Sequence, residues 1–261
     1  MRHWITAAAA TALAAALSPT PATAAAKTGD YVALGDSYAA GIGAGSYRGT
    51  SCVQSTAGSY PQLWAKANPK TKLRFRACSG ATTASVRKSQ LGVLTKSTRW
   101  VTVTAGGNDA GFAATLQTCY LGTDADCAAA TQRSTTTITS ALPKALDTLY
   151  SAIRKKAPKA KVYVVGYPYL VTTGAAADCS FSAGRRTMLN AASDALAQVV
   201  KQRAAKQKGF VFIDGRPIFS GHEVCTGSPW IHGVASNLAE SFHPTAAGHQ
   251  AYAKALRKRT T

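Results

Sequence analysis

Five residues in four short segments carry the groups that nucleophilic catalysis needs. They are Ser37, Gly80, Asn108 and the pair Glu240 and His243, in which the acid stands three residues before the histidine. A serine hydroxyl becomes a good nucleophile when an imidazole accepts its proton. The negative oxygen that then forms on a carbonyl group is stabilised by preorganised N–H and amide donors. These residue types predict acyl transfer, with Ser37 as the nucleophile and His243 as the general base.

The first three of these segments each follow a short apolar run with the composition of a buried strand. The runs are rich in β-branched and aromatic residues, and two more of them occur further along the chain. The five predicted strands are Tyr31–Leu34, Leu73–Ala77, Trp100–Thr104, Val162–Val165 and Phe210–Ile213.

Helical periodicity separates the last three strands. Apolar residues recur three or four apart from Ile138 to Ile153 and from Leu189 to Val199, and a final helix is predicted to start at Pro244. Strands that alternate with helices form a parallel sheet covered on both faces. The predicted fold class is therefore α/β, with three α/β/α layers around a five-stranded parallel sheet. Ligands of such sheets bind beyond the carboxyl ends of the strands, where the candidate residues lie.

The glycines that follow the first strand do not match a dinucleotide-binding motif. Gly41, Gly43 and Gly45 begin a G-x-G pattern, but Ser46 stands where the third glycine of that motif belongs, and no helical pattern follows. We interpret these glycines as a flexible rim of the cleft. No nicotinamide cofactor is predicted.

The motifs of two classes of hydrolase are also incomplete in this sequence. An α/β-hydrolase carries G-x-S-x-G around its nucleophile, whereas Ala39 occupies the last position here. His222 and Glu223 begin like a zinc-protease motif, but the second histidine of that motif is missing, and the chain has no C-x-x-C pair. The sequence therefore predicts catalysis with no metal and no cofactor.

The four segments together resemble a known family. GDSY at 35–38, CSGA at 78–81, GGND at 106–109 and ESFHP at 240–244 are similar, in this order, to the signature blocks of the SGNH, or GDSL, hydrolases. Four ordered blocks, each near a strand end or a helix start, are far more specific than any one of them. The resemblance extends from Tyr31 to the final helix, and the six cysteines also resemble those of secreted actinobacterial lipases and esterases.

This resemblance implies a flavodoxin-like fold and a serine hydrolase that cleaves carboxylic esters in two steps. It implies that the backbone N–H groups of Ser37 and Gly80 and the side-chain amide of Asn108 form an oxyanion hole. A lipid ester is the expected substrate. An esterase for small or polysaccharide-linked acyl groups is the alternative enzyme, and a non-catalytic basic binding module that retains the fold is the alternative from another class.

Glu240 is a departure from the pattern of the family, in which an aspartate stands three residues before the histidine. We expect Glu240 to be the third member of the triad. The extra methylene leaves a second arrangement open, in which a backbone carbonyl orients His243. Ser241 or the loop 230–237 would supply that carbonyl.

The N-terminus has the pattern of a signal peptide. Basic residues precede an alanine-rich apolar run from Ile5 to Leu17, and Ala-Thr-Ala at 22–24 is a small-x-small cleavage site. We predict a signal peptide over residues 1–24 and one hydrolase domain over residues 25–261. The expected location of the mature protein is extracellular.

Six cysteines in an exported chain predict three disulfides. Counting alone leaves the pairing open, apart from two cysteines close enough to staple one loop, Cys119 and Cys127. Resemblance to the secreted relatives suggests the pairs Cys52–Cys78, Cys119–Cys127 and Cys179–Cys225.

The chain is strongly basic, with 30 Lys and Arg against 11 Asp and Glu and a formal net charge of +19. Such an excess favours anionic surfaces, although solubility or association with a cell wall explains it equally well. The expected partners are an ester substrate and, transiently, an anionic lipid surface. Nucleic acid is not an expected partner, and the chain is expected to be a monomer.

Overall fold

The computed structural model describes residues 1, 3, 28–174 and 179–260. The predicted signal peptide therefore lies outside the described residues, apart from residues 1 and 3. Within the described ranges, no helix combines the length and the apolar character that crossing a membrane requires.

A five-stranded parallel sheet forms the centre of the fold, in the order β4-β1-β5-β6-β7. A short antiparallel ribbon, β2 with β3, lies outside it. The five predicted strands are confirmed, with ends shifted by two residues or fewer. The strands are β1 (Gly29–Gly35), β2 (Tyr47–Arg48), β3 (Gln54–Ser55), β4 (Thr71–Phe75), β5 (Thr98–Thr104), β6 (Lys161–Val165) and β7 (Phe210–Ile213).

Helices cover both faces of this sheet. In the described ranges the α-helices are α1 (Ser37–Ala40), α2 (Tyr60–Lys66), α3 (Thr83–Ser85), α4 (Phe112–Leu121), α5 (Asp124–Ser140), α6 (Leu142–Lys156), α7 (Ala183–Ala205) and α8 (Ala246–Thr260). A π-helical turn over Val86–Gln90 and a 3-10 turn over Leu91–Val93 follow α3, and a second 3-10 turn over Leu238–Glu240 precedes α8.

The alternation of side chains along β1 explains the two layers of helices. Tyr31 and Ala33 belong to a buried cluster with residues of α2 and α8, whereas Val32 and Leu34 belong to a second cluster with residues of α6 and α7. Successive side chains of a strand point to opposite faces, so an unbroken apolar strand is buried on both sides. The predicted three-layer α/β fold is thereby confirmed.

Two helix predictions need correction. The periodic run from Ile138 to Ile153 is divided between α5 and α6, because Pro143 has no N–H for the hydrogen bond that would continue α5. The last helix begins at Ala246 and not at Pro244. Pro244 pairs in an isolated bridge with Ile231, and the hydroxyl of Thr245 accepts a hydrogen bond from the first turn of α8.

The three disulfide pairs suggested by the resemblance are present. Cys52–Cys78 ties the ribbon to the segment that follows β4, and Cys119–Cys127 joins the end of α4 to the start of α5. Cys179–Cys225 joins the segment before α7 to the loop after β7. The described chain contains no free cysteine.

Candidate active site

Ser37 lies at the start of α1, directly beyond the carboxyl end of β1. Gly35 has a φ of +130°, and a Cβ atom there would lie 2.3 Å from the carbonyl oxygen of Thr104 on β5, so this bend requires glycine. The side chain of Asp36 caps α1 by accepting a hydrogen bond from the N–H of Tyr38 at 3.0 Å. The bend and the cap together fix Ser37 at the edge of the sheet.

His243 lies on the segment between the second 3-10 turn and α8. Its Nε2 is 2.7 Å from Oγ of Ser37. The hydroxyl of Tyr38 donates a 2.7 Å hydrogen bond to the carbonyl of Phe242 and so ties this segment to α1. Phe242 has a φ of 59°, which is rare for an aromatic residue and gives the chain a sharp turn immediately before His243.

The second ring nitrogen of His243 fixes its tautomer. Nδ1 lies 3.0 Å from the backbone carbonyl of Ser241. Because a carbonyl only accepts hydrogen bonds, Nδ1 carries the proton of the neutral ring, and Nε2 is left to accept from the Ser37 hydroxyl. The 2.7 Å separation is within the reach required of a nucleophile and its base.

Glu240 is not placed as the triad acid in the structure. Its carboxylate accepts a hydrogen bond from the hydroxyl of Tyr47 on β2 at 2.5 Å, and it forms none with the ring of His243. The backbone carbonyl of Glu240 accepts from the N–H of His243 at 3.1 Å, and the side chain extends away toward β2. The alternative arrangement, in which the Ser241 carbonyl orients His243, is the one that the geometry supports.

Three candidate donors for an oxyanion line the same cavity as the Ser37 and His243 side chains. The N–H groups of Ser37 and Gly80 donate to no acceptor in the described part of the chain. The Nδ2 of Asn108 donates one hydrogen bond to the carbonyl of Ala81 at 3.0 Å, which fixes the amide and leaves its second N–H free. The structure thus brings all of the predicted donors to one place.

Two side chains, one buried and one partly buried, hold the turns that carry Ser37 and Gly80, and the sequence assigns neither of them a function. Gln90 brackets Gly35, accepting from its N–H at 2.8 Å and donating to its carbonyl at 2.9 Å. Asp109 accepts from the N–H and the hydroxyl of Thr83, at 2.9 and 2.6 Å, and so anchors the segment after Gly80. Asp109 belongs to the GGND block, but nothing in the sequence signals Gln90.

Tyr167 links the turn of Ser37 to the turn of Asn108. Its hydroxyl donates to the carboxylate of Asp36 and accepts from the N–H of Gly107 at 3.0 Å. Burial raises the pKa of Asp36 to about 7, although the hydrogen bond from Tyr167 acts in the opposite direction. This contact connects the carboxyl ends of β1, β5 and β6.

Burial also lowers the pKa of His243, from the ordinary value of 6.5 to about 4. The hydrogen bond to the Ser241 carbonyl and the nearby charge of Glu240 raise this pKa, whereas His232 lowers it further. The imidazole is therefore neutral at neutral pH, as a general base must be.

A cavity of about 680 Å³ opens onto Ser37 and His243. Its size is in the range of small-molecule sites, and its walls are largely apolar. One wall is α4, and another is the segment 234–242. Apolar residues that line it include Phe112, Leu116, Tyr120, Leu170, Leu196 and Leu238.

Comparisons with known proteins agree with this fold. Residues 33–251 match the model of the GDSL-like lipase/acylhydrolase family. The chain is 48% identical to Lipase 1 of Streptomyces coelicolor over 221 residues, which are 84% of this chain and 81% of that protein.

Two solved structures are also similar. The extracellular lipase of Streptomyces rimosus superposes with a TM-score of 0.85 at 44% identity, covering 88% of this chain and 99% of the lipase. Phospholipase A1 of Streptomyces albidoflavus NA297 superposes with the same score at 43% identity, covering 89% and 99%.

A parallel α/β sheet with serine, glycine, asparagine and histidine at its carboxyl edge is the arrangement implied for SGNH hydrolases. The family match and these relatives identify the chain more closely. It belongs to the GDSL-like lipase/acylhydrolase family and is a carboxylic ester hydrolase of the lipase and phospholipase type.

Proposed function

We propose that the chain is exported after removal of residues 1–24 and that it hydrolyses acyl esters of lipids through Ser37 and His243. The observation that carries this proposal is the 2.7 Å hydrogen bond between Oγ of Ser37 and Nε2 of His243 at the base of a largely apolar cavity. An apolar cavity suits the acyl part of an ester, and the nucleophile lies where the ester carbonyl would be held.

The reaction proceeds in two acyl transfers. Oγ of Ser37 attacks the ester carbonyl while Nε2 of His243 accepts the hydroxyl proton. The tetrahedral oxygen is held by the N–H groups of Ser37 and Gly80 and by the amide of Asn108. The alcohol leaves with the proton from His243, and water, activated by the same ring, then releases the acid. Apart from the ester and this water, the steps use only groups of the chain itself.

The positive charge of His243 in the transition state has a carbonyl dipole beside it, and not a carboxylate. The carbonyl of Ser241 fixes the ring orientation through the 3.0 Å contact with Nδ1. Ser37 and His243 therefore act as a dyad, with Ser241 as a positioning group. The charge of Glu240 acts on His243 at longer range: it raises the pKa of the ring without forming a hydrogen bond to it.

The substrate class is tested with a series of p-nitrophenyl esters from acetate to palmitate, beside phospholipid and triacylglycerol dispersions. A lipid esterase prefers the longer acyl chains and releases fatty acid from the dispersions. A preference for acetate with no release from lipid would instead favour the esterase for small or polysaccharide-linked acyl groups. If folded protein hydrolyses none of these esters, the result would favour the non-catalytic binding module.

Replacing Glu240 with glutamine is expected to change ester turnover by less than about 3-fold, because a carbonyl already orients the ring. A carboxylate partner of the histidine would be worth up to about 10,000-fold. The measurement is kcat on a soluble ester for Glu240→Gln. Tyr47→Phe is the structural control, since it removes the same hydrogen bond from the other side, together with the two that the Tyr47 hydroxyl accepts from the N–H groups of Gly43 and Gly45. A loss of about 100-fold or more in Glu240→Gln alone would restore Glu240 as the triad acid.

The enzyme is expected to stay active at pH values well below the ordinary pKa of histidine. The base must be neutral, so kcat/KM falls as the pH falls through the pKa of His243, which burial lowers to about 4. The measurement is a pH profile of kcat/KM on an uncharged ester. A midpoint at 6.5 or above would contradict the burial of the ring.

Acid unfolding must be separated from this titration. Burial lowers the pKa of His249 as well, to about 4. A histidine whose folded pKa is depressed stabilises the fold above its unfolded value, and this stability is lost as the pH falls from about 6.5 toward the folded pKa. Circular dichroism at each pH therefore accompanies the rate measurements, and only folded samples are compared.

A further inference from the structure

Three exposed aliphatic side chains surround the opening of the active-site cavity. Leu121 is 72% exposed, Val234 50% and Leu238 72%, and all three line the cavity that contains Ser37. In the described part of the chain, Met1 is the one other large apolar side chain with such exposure. Single exposed apolar residues are ordinary on soluble proteins, but their concentration at one opening marks an interaction surface. We call Leu121, Val234 and Leu238 the apolar collar.

The collar is held in place by the structure around it. Leu121 ends α4, and two residues earlier Cys119 is fixed by its disulfide to Cys127 and by a 2.9 Å hydrogen bond from Arg185 to its carbonyl. Leu238 begins the 3-10 turn that Asn237 caps. The N–H of Ala235 donates to the hydroxyl of Ser241 at 3.0 Å, which fastens the loop that carries Val234. The exposure of the collar is therefore a property of ordered segments.

The charge distribution indicates what the collar contacts. Helix α4 and the segment 230–239 contain no Lys, Arg, Asp or Glu, although the whole chain carries a formal net charge of +19. The first charged residues that follow these two segments are acidic, Asp124 and Glu240, and they are bonded to Arg185 and to the hydroxyl of Tyr47. The collar itself is therefore apolar and uncharged, and attraction to anionic head groups comes from the basic excess of the rest of the chain. A protein partner seated on the collar would close the cavity, whereas a lipid layer would deliver acyl chains to it.

We propose that the apolar collar docks the enzyme on an anionic phospholipid surface, with Leu121, Val234 and Leu238 inserted among the acyl chains. An ester then passes from the lipid layer into the cavity without its acyl chain crossing water. This inference rests on the proposed lipid esterase function. Its test measures binding only, so that a failure of docking is distinguishable from a failure of catalysis.

The test uses the inactive variant Ser37→Ala as the parent and measures its binding to phosphatidylglycerol vesicles by flotation. Adding Leu121→Ser, Val234→Ser and Leu238→Ser is expected to weaken binding by about 100-fold or more, because three inserted side chains lose their apolar contacts. The conservative changes Leu121→Met, Val234→Ile and Leu238→Met are expected to keep binding within about 3-fold of the parent.

A charge control separates oriented docking from general attraction. Lys159 and Lys208 are exposed and lie just before β6 and β7, at the edge of the sheet opposite the cavity. The double change Lys159→Gln and Lys208→Gln is expected to weaken vesicle binding far less than the serine changes in the collar. If it weakens binding as much as they do, or if the serine variant binds like its parent, the proposal is overturned.

A direct measurement of insertion covers the case in which the triple variant does not fold. Tryptophan placed at the collar by Leu238→Trp is expected to be quenched by brominated acyl chains, whereas Lys159→Trp is not. Equal quenching of the two would overturn the proposal. Analytical sedimentation gives a second way to overturn it. If the chain is a dimer in solution, and the three serine changes dissociate the dimer but leave vesicle binding unchanged, the collar joins two copies of the chain and does not dock on lipid.

Discussion

Ser37→Ala is expected to lower ester turnover by about 10⁴-fold or more, and His243→Ala is expected to be comparably damaging. The first change removes the attacking oxygen, and the second removes the group that takes its proton over 2.7 Å. The two groups act as one unit, so the double variant is expected to lose little more activity than either single variant. The measurement is kcat/KM on a soluble ester with purified, folded protein.

The fold is expected to survive the change at Ser37. The serine side chain is small and 8% exposed, so alanine leaves no large cavity. Ser140→Ala is the matched control, because its hydroxyl bonds only to the backbone of α5, at the carbonyl of Thr136. Near-parental turnover in Ser37→Ala, with no contaminating esterase, would contradict the assignment of the nucleophile.

Asn108→Ala is expected to lower kcat by about 100- to 1,000-fold with little change in KM. In the proposed oxyanion hole the amide donates to an oxygen that becomes negative only in the transition state, so its loss is expected to affect the chemical step more than ground-state binding. Its bond to the Ala81 carbonyl, 3.0 Å long, shows that the donor is already oriented in the free enzyme.

A matched control for Asn108 lies near the amino ends of the strands, away from the cavity at their carboxyl ends. Asn68, just before β4, also donates its Nδ2 to a backbone carbonyl, that of Trp64, at 2.8 Å. Asn68→Ala therefore removes a comparable structural hydrogen bond without touching the cavity. An equal loss of kcat in both variants would assign the effect at Asn108 to structure and not to the oxyanion hole.

The strands and the four signature blocks are accessible from sequence because they depend on local patterns. A strand such as Val162–Val165 is a continuous apolar run, and its composition alone predicts burial. The bends after β1 and β5 are signalled by Gly35 and Gly106, which both adopt positive φ values. The position of Ser37 and Asn108 at one edge of the sheet then follows from the parallel topology.

What sequence does not predict are the contacts between distant residues. Gln90 meets Gly35 across a separation of 55 positions, and no motif links them. The choice between the Glu240 carboxylate and the Ser241 carbonyl depends on how a 3-10 turn directs one side chain, which spacing alone does not specify. Helix α4 has no clear amphipathic pattern, so its place in the cavity wall was not predicted.

The glycines after α1 differ from the interpretation as a flexible rim. Gly41 and Gly43 have φ values of 88° and 90°, and a Cβ atom on Gly43 would lie 2.3 Å from the carbonyl oxygen of Pro244. The ring of His232 bonds to the carbonyl of Gly43 at 2.9 Å, and the hydroxyl of Tyr47 accepts from its N–H at the same distance. Gly43 therefore packs closely against the segment that carries His243, whereas Gly41 packs against Ser55 and Ser59 and a Cβ atom on Gly45 would meet nothing within 4 Å.

The central claim, that Ser37 is an activated nucleophile, is tested most directly by labelling the folded protein with a serine-reactive fluorophosphonate and mapping the adduct by peptide mass spectrometry. Only a serine whose proton is taken by a neighbouring base reacts readily with this probe. We expect a single adduct on Ser37, formed in the wild-type chain and absent from Ser37→Ala and His243→Ala. An adduct on another serine, or none on folded protein that hydrolyses esters, would contradict the claim.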